Sequence, residues 1–231
     1  MSGIDRRSMM VLAVALGAGV ALPSRARGKR LAARESRERF PEGVASADPT
    51  CDTVILWTRR PPFAGEISRE LQVEIAEEEN FENVVAKGRV AVLPQNDYTC
   101  RFLGIGLLPG RTYWYRFIDD LGYSSRIGRT RTAHKESDER DVCFAFVSCQ
   151  NVNLGYSTPF RMMIDADLRS EEDKQIQFVL HLGDFIYEMV WYPEDRPEGM
   201  QGREVRGVVR LPSGEKVGDY HIPTCVDDYR A

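Results

Sequence analysis

Histidine is scarce in this chain: His134, His181 and His221 are the only three among 231 residues. Three imidazoles scattered this widely cannot by themselves furnish a dinuclear metal centre. Cysteine is also sparse. Cys51, Cys100, Cys143, Cys149 and Cys225 are five in number and unevenly spaced, which excludes a disulfide scaffold and leaves at least one thiol with another task. Positive charge is not in excess. A formal net charge of -4 gives no concentrated basic face, so no nucleic-acid-binding surface is expected. Long apolar runs are missing as well. The stretch from Val11 to Leu22 falls short of the ~20 residues a helix needs to cross a bilayer, so no stable membrane anchor is expected. What remains, 42% hydrophobic and 29% charged, is the composition of an ordinary soluble protein of one or two domains.

The N-terminus carries the first positive signal. Arg6-Arg7 precedes the apolar run, and Pro23-Ser24-Arg25-Ala26-Arg27 follows it. A basic start, a short apolar stretch and a polar exit read as a cleavable export signal over residues 1–30. The paired arginines point to the twin-arginine type, and Gly17 and Gly19 keep the apolar stretch only moderately hydrophobic. An ordinary Sec signal that happens to begin with two arginines is the alternative. Either route delivers a periplasmic or secreted protein.

Residues 38–133 read as strands. Thr53 to Thr58 is rich in β-branched and aromatic residues, and Leu71 to Ile75 alternates, with one face apolar and one wet. Arg89 to Val92, Tyr98 to Leu103, Arg111 to Ile118 and Arg126 to Thr132 complete the set, punctuated by Asp48-Pro49, Pro61-Pro62, Leu108-Pro109-Gly110 and Asp120-Leu121-Gly122. About seven short strands at this spacing predict a β-sandwich of immunoglobulin or fibronectin III type. Leu108 to Tyr115 looks like the turn into its strand F, where a tyrosine hydroxyl ties the corner to the backbone. Tyr113, Tyr115 and Phe117 fall on one face, with Trp114, Arg116 and Ile118 on the other. Core packing is the expected role of these aromatics, and a ligand platform is the alternative.

The charged run His134 to Asp141 reads as a solvated linker, residues 134–141. Beyond it the pattern changes. Val142 to Val147 is continuously apolar, as expected of a strand buried on both faces of a parallel sheet, and it ends in Ser148-Cys149-Gln150-Asn151. Ser157 or Thr158 caps a helix with Pro159 in its first turn. Phe160, Met163, Ile164 and Leu168 form its apolar stripe. Gln177 to Leu182 is a second strand, ending in Gly183-Asp184-Phe185-Ile186-Tyr187-Glu188.

Two parallel strands joined by a helical crossover present their C-terminal ends on the same sheet edge, where ligands bind in open α/β sheets. Cys149 and Asp184 therefore arrive at neighbouring tips, and Tyr187 folds back toward the same point. A thiolate, a carboxylate and a phenolate together make candidate metal ligands, and thiolate plus phenolate favours a redox metal such as ferric iron. The plainer alternative makes Cys149 a small buried hydrophobe, Asp184 a turn residue and Tyr187 core. His134 falls in the linker and His221 in a loop; His181 sits in the strand and is expected to be packed rather than ligating. Trp191 to Tyr220, with Arg196, Arg203, Arg206 and Arg210, reads as a long surface loop of solvated charge. Phosphate contact by these arginines is the alternative.

These motifs resemble the PhoD-like alkaline phosphatases and phosphodiesterases of the calcineurin-like metallophosphoesterase superfamily. The resemblance is carried by Arg6-Arg7, by Gly43 to Pro49 with Val54 to Thr58, by Phe146 to Gln150 and by Leu180 to Glu188. It implies a sandwich followed by an α/β four-layer metallophosphoesterase domain, present here over residues 142–231 as an incomplete N-terminal half. It implies ferric iron held by Cys149, Asp184 and Tyr187, with Asp184 also reaching calcium. Ser148-Cys149-Gln150 stands where many other metallophosphoesterases carry Asp-x-His. The later Asp-Asp-His-Glu-like strand end and further histidine and aspartate ligands of the family have no match in this chain.

The implied function is hydrolysis of a phosphate monoester or diester outside the cytoplasmic membrane by a monomer exported through the twin-arginine machinery. Paired metals stabilise charge at phosphorus and acidify water in such enzymes. Two other functions stay open: a phospholipase D-like diesterase, and an inactive secreted sandwich module that binds a glycan or protein and keeps a vestigial catalytic tail.

Overall fold

The computed structural model describes residues 19–20, 22–28, 31–151, 158–192, 194–195 and 210–230. Most of the expected export signal, with Arg6 and Arg7, lies outside them, as do Ser157, Arg196, Arg203 and Arg206. The chain divides into two units, Met1–Arg140 and Asp141–Ala231.

In the first unit the strands run β1 (Gly19–Val20), β2 (Leu22–Gly28), β3 (Arg34–Glu35), β4 (Val44–Ala47), β5 (Thr53–Arg59), β6 (Glu70–Ala76), β7 (Val84–Ala91), β8 (Thr99–Ile105), β9 (Thr112–Asp119), β10 (Tyr123–Ser124) and β11 (Gly128–Arg131). A four-stranded sheet has the order β1-β8-β5-β4; a seven-stranded sheet has the order β2-β7-β6-β9-β10-β3, with β11 pairing β9. Strands β1 and β2 fall inside the segment expected to leave as a signal, and their partners are β8 and β7.

Alternation in β5 turns Val54 and Leu56 inward, and the neighbouring β8 does the same with Cys100 and Phe102. These meet Leu71, Val73, Ile75, Ala86, Val90, Tyr113, Tyr115 and Phe117 of the other sheet in one apolar core. Each large side chain so buried contributes about 1.5–3 kcal/mol. At Gly104 the sheets approach closely: a Cβ there would lie 2.7 Å from Ile75 Cδ1. The corner expected at Leu108 to Tyr115 is formed, since the Leu108 N–H donates to the Tyr113 hydroxyl at 2.8 Å. The Thr132 hydroxyl donates to the Leu108 carbonyl at 2.6 Å from the following strand end.

One expectation for this unit fails. The second face of β6 is not wet. Glu74 is fully buried and Arg116, its cross-strand neighbour, is 3% exposed. Arg116 donates to Glu74 Oε2 through Nε at 3.1 Å and Nη2 at 2.7 Å, and Lys87 Nζ lies 2.9 Å from Oε1. The Phe81 ring covers the Arg116 guanidinium at 4.5 Å, and the Leu31 carbonyl accepts from Arg116 at 2.7 Å. Ile118 is buried too. The alternation was correctly in phase, but a segment preceding β3 and the turn holding Phe81 roof the charged face. A second buried pair, Arg60 with Asp119 at 2.9 Å, has both side chains fully buried.

The second unit contains β12 (Phe144–Val147), α1 (Thr158–Arg169), β13 (Phe178–His181), the hairpin β14 (Glu215–Val217) and β15 (Tyr220–Ile222), and α2 (Val226–Arg230). Strands β12 and β13 pair in parallel, Phe144 opposite Phe178 through Val147 opposite His181. The burial on both faces expected of β12 is not met: Phe144 and Phe146 are exposed, as are Phe178, Val179 and Leu180 of β13. The α1 stripe is likewise uncovered at Ile164 and Leu168. A parallel sheet is buried only when helices or another layer cover both faces, and two strands with one described crossover helix cannot supply that cover.

His221 is another correction, because it belongs to β15 rather than to a loop. Its Nε2 lies 2.8 Å from Asp195 Oδ2, and the Tyr192 ring stacks on it at 3.8 Å. The described ends of the expected long loop are thus built structure. Arg210 is held by a two-pronged contact to Glu194, at 2.6 and 2.9 Å.

Candidate metal centre

Beyond Val147 the pairing of β12 and β13 continues past both strand ends. The Leu182 N–H donates to the Val147 carbonyl at 2.8 Å, the Cys149 N–H to the Gly183 carbonyl at 3.2 Å and the Gln150 N–H to the Asp184 carbonyl at 3.3 Å. The Gln150 side-chain amide adds a bond to the Phe185 carbonyl at 3.4 Å. The backbone then bends sharply at both tips. Gly183 has φ +117, Asp184 +53 and Cys149 +60. Glycine adopts such angles freely and Asp tolerates them, whereas Cys149 is held there against its own preference. Non-glycine residues with strained backbones cluster at functional sites, because the surrounding contacts must over-determine them.

The bends bring all three predicted side chains together. Cys149 Sγ donates to Asp184 Oδ2 at 3.1 Å, and the Tyr187 hydroxyl donates to the same oxygen at 3.4 Å. Tyr187 holds its proton tightly. Hydrogen bonding to Cys149, then burial, then the negative charge of its neighbours push its pKa up to about 12. Cys149 and Asp184 lie at the surface, so the buried-hydrophobe reading of Cys149 does not hold. Its thiol points into the cluster.

A soft sulfur and a phenol meeting on one oxygen of a hard carboxylate are donor types that suit iron, and the set fits as part of such a site. It is not a whole one. Among the described residues no three His, Cys, Asp or Glu side chains gather closely enough to hold a metal. Calcium takes six to eight oxygen ligands, a number that Cys149, Asp184 and Tyr187 do not reach.

Two residues join the site beyond the three predicted ligands. Gln150 ties the tips together through backbone and side chain. His181 accepts the Gly183 N–H on Nδ1 at 3.3 Å, and its ring sits edge-on to Phe185 at 4.9 Å. The signal available for His181 was its position two residues before the turn glycine, the spacing of an Asx-type side-chain-to-backbone bond.

A β-rich unit followed by a parallel strand pair whose tips join a thiol, a carboxylate and a phenol defines the class: a two-unit chain with a candidate metal edge. Comparison with known proteins gives the family. The PhoD-like phosphatase N-terminal domain matches residues 24–134, and the PhoD-like phosphatase domain matches residues 144–231. Alkaline phosphatase D of Bacillus subtilis (strain 168) is 34% identical over 157 residues, covering 64% of this chain and 25% of that protein. A solved structure of PhoD matches with a TM-score of 0.57 and 31% identity over 70% of this chain and 30% of the other. The chain belongs to the PhoD-like phosphatase family, and it spans about a quarter to a third of the length of these relatives.

Proposed function

We propose that this chain is the N-terminal part of an exported, metal-dependent hydrolase of phosphate esters. The observation that carries the reading is the meeting of Cys149 Sγ and the Tyr187 hydroxyl on one oxygen of Asp184. It stands at the edge where α/β sheets bind ligands, in a chain of a phosphatase family. Cys149, Asp184 and Tyr187 would hold ferric iron, with Asp184 shared with calcium. When bound, such ions supply positive charge for a phosphoryl transition state and acidify water. The chain's own part would be to hold three donors at two strand tips, with Cys149 and Tyr187 binding a cation in their deprotonated forms. The substrate class is a phosphate monoester or diester.

The exposed apolar faces of β12, β13 and α1 support a finer reading. The second unit is an incomplete half of a four-layer metallophosphoesterase domain, whose other strands and helices cover those faces and supply the missing ligands. The first unit is an immunoglobulin- or fibronectin III-like sandwich in support of it. Arg6-Arg7 and the apolar run after it support export through the twin-arginine machinery to the periplasm or beyond, as a monomer.

Iron binding by residues 1–231, followed by equilibrium dialysis against the citrate complex, tests the site. Asp184→Ala is expected to abolish it, and equal binding by the two proteins overturns the assignment. Turnover of p-nitrophenyl phosphate and its bis-ester, with iron and calcium supplied, tests the incomplete-domain reading. Robust metal-dependent turnover by residues 1–231 alone would show the domain to be sufficient. Release of phosphatidic acid from phosphatidylcholine identifies a phospholipase D-like diesterase instead.

One observation favours a second reading, a secreted sandwich binding module with a vestigial tail. The first unit has a full core, while the second unit's apolar residues are largely exposed. Ligand capture by residues 31–140, with no iron binding by the whole chain, would favour it.

A further inference from the structure

The Gly183 peptide is the joint of the candidate centre. Its carbonyl accepts the Cys149 N–H at 3.2 Å, and the next residue carries the Asp184 carboxylate. Its N–H is taken by a side chain, His181 Nδ1, at 3.3 Å. A backbone N–H can only donate, so Nδ1 of His181 is the unprotonated nitrogen and the ring proton resides on Nε2. That Nε2 is buried and finds no hydrogen-bond partner among the described residues. An imidazole whose one ring nitrogen is committed to the turn, and whose other is enclosed, is fixed in both tautomer and orientation.

We infer that His181 is a positioning residue of this centre: through the Gly183 peptide it sets where Asp184 and Cys149 stand relative to each other. The inference rests on the metal reading above and deepens it. The geometry explains how two successive residues with φ +117 and +53 are held at one strand tip. His181 captures the N–H entering the bend, and Cys149 captures the carbonyl leaving it. The bond spans two residues, the reach of an Asx turn, so an asparagine carbonyl can replace Nδ1 while an aliphatic side chain cannot. Partners that orient first ligands typically govern about 10–100-fold in metal affinity.

The test compares His181→Asn with His181→Leu in the 1–231 protein. Amide hydrogen exchange without metal reads the turn directly. In H181L the Gly183 amide is expected to exchange as an unbonded amide and the Cys149 amide to speed up with it, while H181N keeps both near the original rates. Iron affinity is expected to fall about 10–100-fold in H181L and to be restored in H181N. An unchanged Gly183 amide in H181L overturns the inference. Should H181L fail to fold by far-ultraviolet circular dichroism, the 15N imidazole spectrum of the unmutated protein decides: a proton on Nδ1 overturns the inference, and a proton on Nε2 supports it. Exchange that responds as expected in a protein binding iron no better than D184A upholds the turn and overturns the metal reading, so the two failures are distinct.

Discussion

Cys100 and Cys149 show what neighbours do to one functional group. Cys100 lies in the sandwich core, and burial pushes its thiol from the ordinary 9.0 up to about 12; Cys149 lies exposed at a strand tip. Thiol labelling of the folded protein at pH 8 is expected to modify Cys51, Cys149 and Cys225 and to spare Cys100 until denaturant is added. Burial also raises Tyr113 and Tyr115. All three groups favour their neutral forms in the folded state. Their contribution to stability is therefore whole below about pH 9 and is lost as pH climbs toward and beyond 12. Alkaline titration followed by near-ultraviolet circular dichroism is expected to unfold the sandwich in that window, and a flat profile through pH 12 would contradict the burial argument. Tyr113→Phe removes the acceptor of the Leu108 N–H and is expected to cost about 0.5–1.5 kcal/mol in urea denaturation.

Strand β6 carries the element-scale argument, because its two faces are buried by different means. One face meets the apolar core. The other holds Glu74 between Lys87 and Arg116 on its flanking strands. Breaking a buried pair strands a charge, so Glu74→Ala is expected to destabilise the sandwich by about 3–5 kcal/mol. Replacing Glu74 by Leu together with Arg116 by Met removes both charges and is expected to recover most of that loss. Chemical denaturation of single and double variants checks it; equal losses in both would mean that packing, not charge, carries the effect. The alternation of Leu71 to Ile75 was legible in the sequence, because a period of two is a property of the strand alone. The roof over its polar face was not. Residues around Leu31 and Phe81 come from distant parts of the chain, and no local pattern announces their arrival.

At the scale of the molecule, the two units differ in how well they cover their apolar surface. The first encloses a continuous core. The second leaves Phe146, Leu168, Leu182, Phe185 and Ile186 each more than 60% exposed. Limited proteolysis of residues 1–231 is expected to cut the second unit first and leave a resistant fragment near residues 31–140. An apolar dye is expected to bind the whole chain and not that fragment. Cleavage within the sandwich first would reverse this account. Replacing Arg6-Arg7 by two lysines is expected to hold the protein in the cytoplasm, as fractionation would show, if export runs through the twin-arginine route.

The sequence alone determined the strand pattern of the sandwich, the tyrosine of its corner, and the arrival of Cys149 and Asp184 at adjacent tips. Each follows from periodicity, turn chemistry or the shared direction of parallel strands, which are local or topological properties. Only the tertiary structure decided that the Cys149 thiol and the Tyr187 hydroxyl meet on Asp184 Oδ2, that His181 grips the turn beneath them, and that Glu74 and Arg116 are buried. It also decided that β12 lies bare. Those outcomes depend on which side chains arrive from far along the chain, and a strand's own residues carry no record of what comes to cover it.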